Sequence, residues 1–303
     1  MEVSFFCSIF AKKIYMLNIN DIRKRLERNP EPDEVKKIRE NITKTFSNLE
    51  FIEDVHKYYL PQSDGTKTEL PSVSATAHRF EPEVDWDEIC AAKALKLGVT
   101  YEQLKREWFE HNHQATNLGT GVHLYGEDFM HFMQGHPEQI SNITKPQYEE
   151  GYLFPHSPKE NAVMHYWEDL YKIDEIYPVM PEARIYMGVN DKFNVKNPYA
   201  GTFDILLAMK QQGKWKLLLH DYKTNNDIYN DFARNRNETL LEPFTDFINE
   251  PKSLYTLQLN LYQLGLEQLG YEIIDRRLIW LKDDATYEKV SLPDITKRLI
   301  KVI

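Results

Sequence analysis

The sequence predicts an α/β protein of the α+β kind, on three observations. Residues 199–224 read as two strands folded back on one another. Helical patterns of apolar residues precede and follow that pair. A further apolar strand lies near the C-terminus, at 271–281. Side chains alternate across a strand and return to one face of a helix every three to four positions, so a period of two marks strands and a period near 3.6 marks helices.

In chain order, the apolar run at 3–11 is too short to span a bilayer, and its basic residues follow it, the wrong polarity for a secretory leader. A buried edge strand and an extension upstream of a second start at Met16 are both open. Residues 18–48 read as a solvated, highly charged helical pair, broken by Asn-Pro-Glu-Pro-Asp at 29–33, with Asp33 capping the second piece. Residues 51–60 and 66–75 flank Gln-Ser-Asp-Gly at 62–65, a hairpin signal. Helices are expected at 85–97 and 100–111, capped by Asp85 and Thr100 and separated by Gly98. Gly119 and Gly121 loosen the start of the next helix, which runs to about Met133. Ser-Pro-Lys-Glu at 157–160 is a capping box with proline at the first helical position. It opens a helix whose Met164, Trp167 and Leu170 read as core. Residues 176–187 read as a strand interrupted by Pro178 and Pro181, with 191–195 as its partner.

The central pair is 199–209 and 215–223, joined by Lys-Gln-Gln-Gly-Lys at 210–214. The run Leu217, Leu218, Leu219 suits a strand buried on both faces. Residues 225–253 are polar and long enough to form a lid or substrate-contacting arm. Residues 254–269 form an amphipathic helix with Leu254, Leu257, Leu261 and Leu264 as its buried stripe. Residues 286–292 pair with 271–281, and 294–303 close the chain as a short helix. The expected organisation is an N-terminal helical and hairpin region, 1–116, packed on a core of 117–303.

Length allows one large or two ordinary domains. A formal charge of −10 argues against a general nucleic-acid coating protein, though not against an enzyme with a local basic groove. Cys7 and Cys90 are the only cysteines, which excludes a four-cysteine zinc or iron–sulfur site within the chain and makes a reducing, cytoplasmic setting the expectation. No segment approaches membrane length. There is no Gly-x-x-x-x-Gly-Lys-Ser/Thr phosphate loop, hence no fused ATP-driven motor.

Acids stand where buried strands ordinarily carry apolar residues. Leu217, Leu219, Asp221 and Lys223 share one face of the return strand, and Asp204 follows Gly201 inside an otherwise apolar run. The hairpin brings Asp204 and Asp221 within reach of one small cation. Two close carboxylates repel unless a metal or a proton sits between them. A hard cation such as magnesium takes oxygen ligands of this kind and keeps several waters. The Tyr222 carbonyl is a third protein oxygen, and Lys223 is placed to orient or help deprotonate a water or to stabilise a phosphate. Asp-x-Lys or Gly-x-x-Asp alone marks a strand end meeting solvent at least as often as a site; their joint occurrence on consecutive strands is what counts. His123 and Glu127 share a helix face, as a surface pair or as a third metal-facing element. Glu182 is a further site carboxylate or a strand-end charge. Gln258 and Tyr262 lie one turn apart beside the leucine stripe, able to face the site.

The ordered set His123/Glu127, Gly201/Asp204, Asp221/Lys223 and Gln258/Tyr262 resembles the RecB-type, phage-exonuclease branch of the PD-(D/E)XK nuclease superfamily over roughly 119–281. Residues 51–118 are similar, less specifically, to the leader region of phage-encoded exonucleases. The resemblance implies a restriction-endonuclease-like core: a mixed β-sheet flanked by helices, with a phosphodiester hydrolase site on one edge. It implies magnesium or manganese on His123, Asp204, Asp221 and the Tyr222 carbonyl, and Lys223 acting on the water or the transition state. Glu182 would join the catalytic acids, Gln258 and Tyr262 would hold the strand, and Glu127 and Thr224 would support the site. Some relatives add an iron–sulfur cluster, which two cysteines cannot build. The implied function is a DNA exonuclease in phage or bacterial recombination, repair or end-processing, in the cytoplasm (the host's, if phage-encoded). Its expected partners are DNA and a separate recombinase, single-strand-binding protein or helicase; no membrane is involved, and a homo-oligomeric ring is open. The alternatives are a catalytically inactive DNA-binding or assembly protein of the same fold, an endonuclease, and an RNA-acting nuclease.

Overall fold

Two helices begin the described chain, α1 (Ile19–Arg28) and α2 (Asp33–Thr45). A computed structural model describes residues 16–188, 192–193 and 195–303. The apolar run at 3–11 and positions 191 and 194 lie outside the described residues; of the strand expected at 191–195, the described positions 192, 193 and 195 are not in a strand, and residues 176–187 pair instead with 199–209. The helical pair is not merely solvated: Ile19, Ile22, Val35, Ile38 and Ile42 are buried stripes on the core. Asp33 is the first helical residue rather than the cap, a position held by Pro32. From there its carboxylate favours the positive end of the helix dipole.

A small antiparallel sheet follows, β1 (Glu50–Ile52), β2 (Lys57–Pro61) and β3 (Lys67–Leu70). The strand expected to reach residue 75 stops at Leu70, because Ser72 caps a new helix by accepting the Ala75 N–H. That helix is α3 (Val73–His78), followed by α4 (Trp86–Leu97) and α5 (Tyr101–Met133). Asp85 and Thr100 cap α4 and α5, and Gly98 ends α4 at φ +70°.

The two helices expected at 100–111 and 117–133 are one helix of 33 residues. A glycine inside a helix costs only about 1 kcal/mol relative to alanine, and the buried inner turns of α5 outweigh Gly119 and Gly121. The boundary drawn at 116/117 therefore falls inside α5. No side chain from 105 to 121 is buried, whereas Val122, Tyr125, Phe129, Met130 and Phe132 are. The outer half of α5 has only a small core of its own with α4, around Cys90, Ala94 and Leu104.

After the two-residue strands β4 (Tyr148–Glu149) and β5 (Tyr152–Leu153) comes α6 (Pro158–Tyr171). Only half of its capping box forms. Ser157 accepts the Glu160 N–H, but the Glu160 carboxylate turns to the His156 N–H instead.

The central sheet is β6 (Ile176–Met187), β7 (Tyr199–Gln211), β8 (Lys214–Lys223), β9 (Ile273–Leu281) and β10 (Tyr287–Ser291). Its order is β10-β9-β8-β7-β6, antiparallel throughout except for the parallel pair β8–β9. The β7–β8 turn is tighter than expected, with only Gln212 and Gly213 between the strands. A parallel pair needs a long crossover. Here it is carried by α7 (Asp231–Arg236) and α8 (Pro251–Glu267). Within it Leu240 and Phe244 are buried in the main core, so this segment is an anchored arm rather than a loose lid. α9 (Thr296–Leu299) closes the chain.

Helices cover both faces of the sheet. Leu217 and Leu219 join the core containing α8, while Leu218 and Tyr222 join the one containing α5 and α6. α8 is buried on nearly every side, beyond the leucine stripe, with Thr256, Asn260 and Gln263 also inside. Among the described residues no helix is long and apolar enough to cross a membrane.

Candidate metal centre

Three elements converge where β7 and β8 leave the antiparallel ladder. α5 brings His123, β6 brings Glu182 and β7 brings Asp204. One ligand atom from each lies within 4.8 Å of the others. His123 Nδ1 is 3.2 Å from Asp204 Oδ2, and that same oxygen accepts the Tyr222 N–H at 2.7 Å. The N–H and C=O of a strand residue point to the same side, so the Tyr222 carbonyl is also directed toward β7. Glu182 has φ +43°, a left-handed conformation that only a well-determined surrounding holds in a residue with a side chain.

Asp221 lies next to this trio on β8, 2 % exposed. Lys223 Nζ lies 2.5 Å from its Oδ2, a buried ion pair. As the strand alternation requires, Lys223 faces α8. Its Nζ donates to Gln258 Oε1 at 3.4 Å and sits 4.3 Å from the centre of the Tyr255 ring. Gln258 Nε2 in turn donates to the Tyr262 hydroxyl at 3.3 Å.

Two glycines allow these approaches. A Cβ on Gly201 would lie 2.8 Å from both Tyr262 Cε1 and Val73 Cγ2. A Cβ on Gly126 would overlap the Tyr222 ring, so its absence lets α5 close onto β8.

The charges are mutually dependent. Burial works against the imidazolium of His123, but the Asp204 carboxylate outweighs it and raises the pKa to about 9. Burial likewise opposes ionisation of Asp204, and His123 holds it below the usual carboxylate range. Burial and then Asp204 push Asp221 up to about 6 and push Glu182 well above its ordinary value. For Lys223, burial is outweighed by Asp221, Tyr255 and Asp204, and it stays an ammonium. Glu182 and Asp204 line the pocket, with Asp221 buried beside them, and the three acids cannot all ionise without added positive charge. The imidazole and carboxylate donors of His123, Glu182 and Asp204, clustered within 4.8 Å, fit a divalent cation.

Glu127, one turn along from His123, lines the same pocket of about 580 Å³, where burial raises its pKa. Thr224 does not face the trio. Its carbonyl accepts from the buried Lys159 Nζ at 2.5 Å, and it lines the next cleft with Asn225. No family model matches the chain, and no curated protein matches it significantly.

Sequence reasoning missed three supports. Tyr255 covers Lys223, and its spacing from Gln258 and Tyr262 along α8 is the signal that would have found it. Trp167 Nε1 donates to the Tyr222 hydroxyl at 2.8 Å and fixes the ring beneath the site. Lys159 secures the end of β8; a lone lysine in a capping turn carries no signal of that.

Proposed function

We propose that the protein is a divalent-cation-dependent phosphodiester hydrolase acting on DNA, with a core of the PD-(D/E)XK nuclease kind and exonuclease action as the favoured mode. The observation that carries this reading is the meeting of His123, Glu182 and Asp204 beside a buried Asp221–Lys223 pair, on the strands and helix the motif order requires. His123, Glu182, Asp204, Asp221 and the Tyr222 carbonyl would hold the cation, magnesium or manganese by the hardness of the oxygen donors. When bound, such a cation polarises a phosphate oxygen and lowers the pKa of a coordinated water. Asp204 fixes the imidazole of His123. Lys223, held as an ammonium, acts as a donor that orients the water or stabilises charge on the phosphate, while Gln258 and Tyr255 hold its amine in place. Tyr262 braces Gly201 on β7.

The test is digestion of linear duplex DNA labelled at each end, with and without magnesium. Asp204→Ala and Asp221→Ala are expected to abolish cleavage while the protein stays folded. Full cleavage in either variant, or in EDTA, rejects the proposal. The rival reading is a DNA-binding or assembly protein of this fold without turnover; a net charge of −10 suits its assembly form, not its DNA-binding form. Calorimetric titration with magnesium separates the two, since a binding module needs no cation at this point. End-blocked, circular and RNA substrates separate exonuclease, endonuclease and RNA-acting modes.

A further inference from the structure

Ser74 and Gln258 line both the metal pocket and a second groove of about 830 Å³. This groove runs between α3–α4 on one side and the arm carrying α7 on the other. Two large rings stand open in its walls: Trp86, 65 % exposed at the start of α4, and Phe232, 58 % exposed in α7. Rings of this size are usually covered, and two exposed together mark a surface that meets something.

The charges around them cancel locally. Arg234 pairs with Glu250 at 2.6 Å and Arg236 with Glu238 at 3.8 Å, and the His78 ring hydrogen-bonds to Glu81 at 2.7 Å. The Arg236 guanidinium also stacks on Phe232, 4.1 Å from the ring centre. A groove built to track phosphates offers unpaired cations. This one offers flat apolar faces and matched ion pairs, which suit neutral aromatic bases. It also adjoins the pocket of the metal centre through Ser74 and Gln258.

We propose that the groove takes the unpaired nucleobases of a single-stranded segment whose backbone enters the metal centre, with Trp86 and Phe232 as the stacking faces; this rests on the nuclease reading of that centre. Stacking on aromatic rings accepts every base, because every base has a π-face. The groove would therefore separate and hold the strand next to the cleaved phosphate without selecting its sequence.

The experiment uses the full chain with calcium as the cation. It compares binding of a fluorescent single-stranded oligothymidine with binding of an abasic strand of equal length, which keeps the phosphates and lacks the bases. The wild type is expected to prefer the base-bearing strand. In the Trp86→Ala, Phe232→Ala double variant that preference should shrink by roughly ten-fold or more, while Trp86→Phe retains most of it. Both rings are exposed, so circular dichroism should report an intact fold. A double variant with the wild-type preference, or a wild type that cuts DNA in magnesium yet binds both strands equally, overturns the groove assignment, as it would if a protein segment were the true occupant. A wild type that prefers bases but never cuts in magnesium overturns the nuclease reading and leaves the groove assignment standing.

Discussion

Replacing Gly126 by alanine tests whether the closeness of α5 and β8 is as tight as the geometry requires. The new Cβ would lie 3.0 Å from Tyr222 Cζ and 3.2 Å from Cδ2, with Cε2 closer still. Carbon atoms prefer about 3.5–4.0 Å, so helix or ring must yield by roughly 1 Å. The ring has little room to do so. It is 1 % exposed, it receives the Trp167 N–H, and its edges meet Tyr166 and His123. Overpacking of this kind costs about 1–3 kcal/mol, against a helix-propensity gain of about 1 kcal/mol for glycine to alanine. The net expectation is a loss of up to about 2 kcal/mol, a few degrees in melting temperature for a chain of this size. Gly121 is the control, in the same helix with nothing within 4 Å of the place a methyl group would take. Gly121→Ala should gain roughly 0.5–1 kcal/mol. Thermal unfolding followed by circular dichroism in EDTA reads both. Opposite signs are expected, and a Gly126→Ala protein that melts at or above the wild type refutes the reasoning.

Three further outcomes are expected. Glu182→Gly relieves the left-handed backbone at φ +43° and removes a half-buried acid, so it should raise cation-free stability by about 1 kcal/mol while weakening magnesium binding; denaturant melts and calorimetry check the two signs. Trp167→Phe leaves the Tyr222 hydroxyl buried without its donor and should cost about 1–3 kcal/mol; an unchanged denaturation midpoint would contradict this. Burial lowers the pKa of His220, which sits between the Tyr166 hydroxyl at 2.7 Å and Asp275 at 3.1 Å. The folded state holds it neutral, whereas the unfolded chain takes up a proton near pH 6.5. Its contribution is therefore complete above about pH 6.5 and is lost as pH falls toward the lowered folded value. The stability gap between wild type and His220→Gln should narrow from pH ~7 to ~5; a constant gap counts against the assignment.

The hairpin of β7 and β8 was legible because its pattern is local: apolar arms, a polar glycine turn, and acids at fixed offsets. The amphipathic α8 and the capped starts of α4 and α5 were legible for the same reason. The continuity of α5 was not. Gly119 and Gly121 lower local propensity, and only tertiary burial from Val122 onward overrides it. The end of β3 was missed because Ser72 acts as a cap only once Val73 has turned helical. At the site, Asp204, Asp221 and Lys223 followed from strand alternation, whereas the place of Glu182 depends on the β6–β7 register and its bulge near Pro178. The groove walls, Trp86 and Phe232, are far apart in sequence, and no spacing rule joins them.

The length of α5 has a mechanical corollary. At 1.5 Å per residue the helix is about 50 Å long, and no side chain between 105 and 121 is buried. His123 lies one position beyond the first inner residue gripped by the core, which makes it the fulcrum of the rod and not its tip. Bending of the outer end, some 30 Å away, is scaled down to almost nothing at the imidazole, so the arrangement of His123, Glu182 and Asp204 is insulated from whatever jostles the far end.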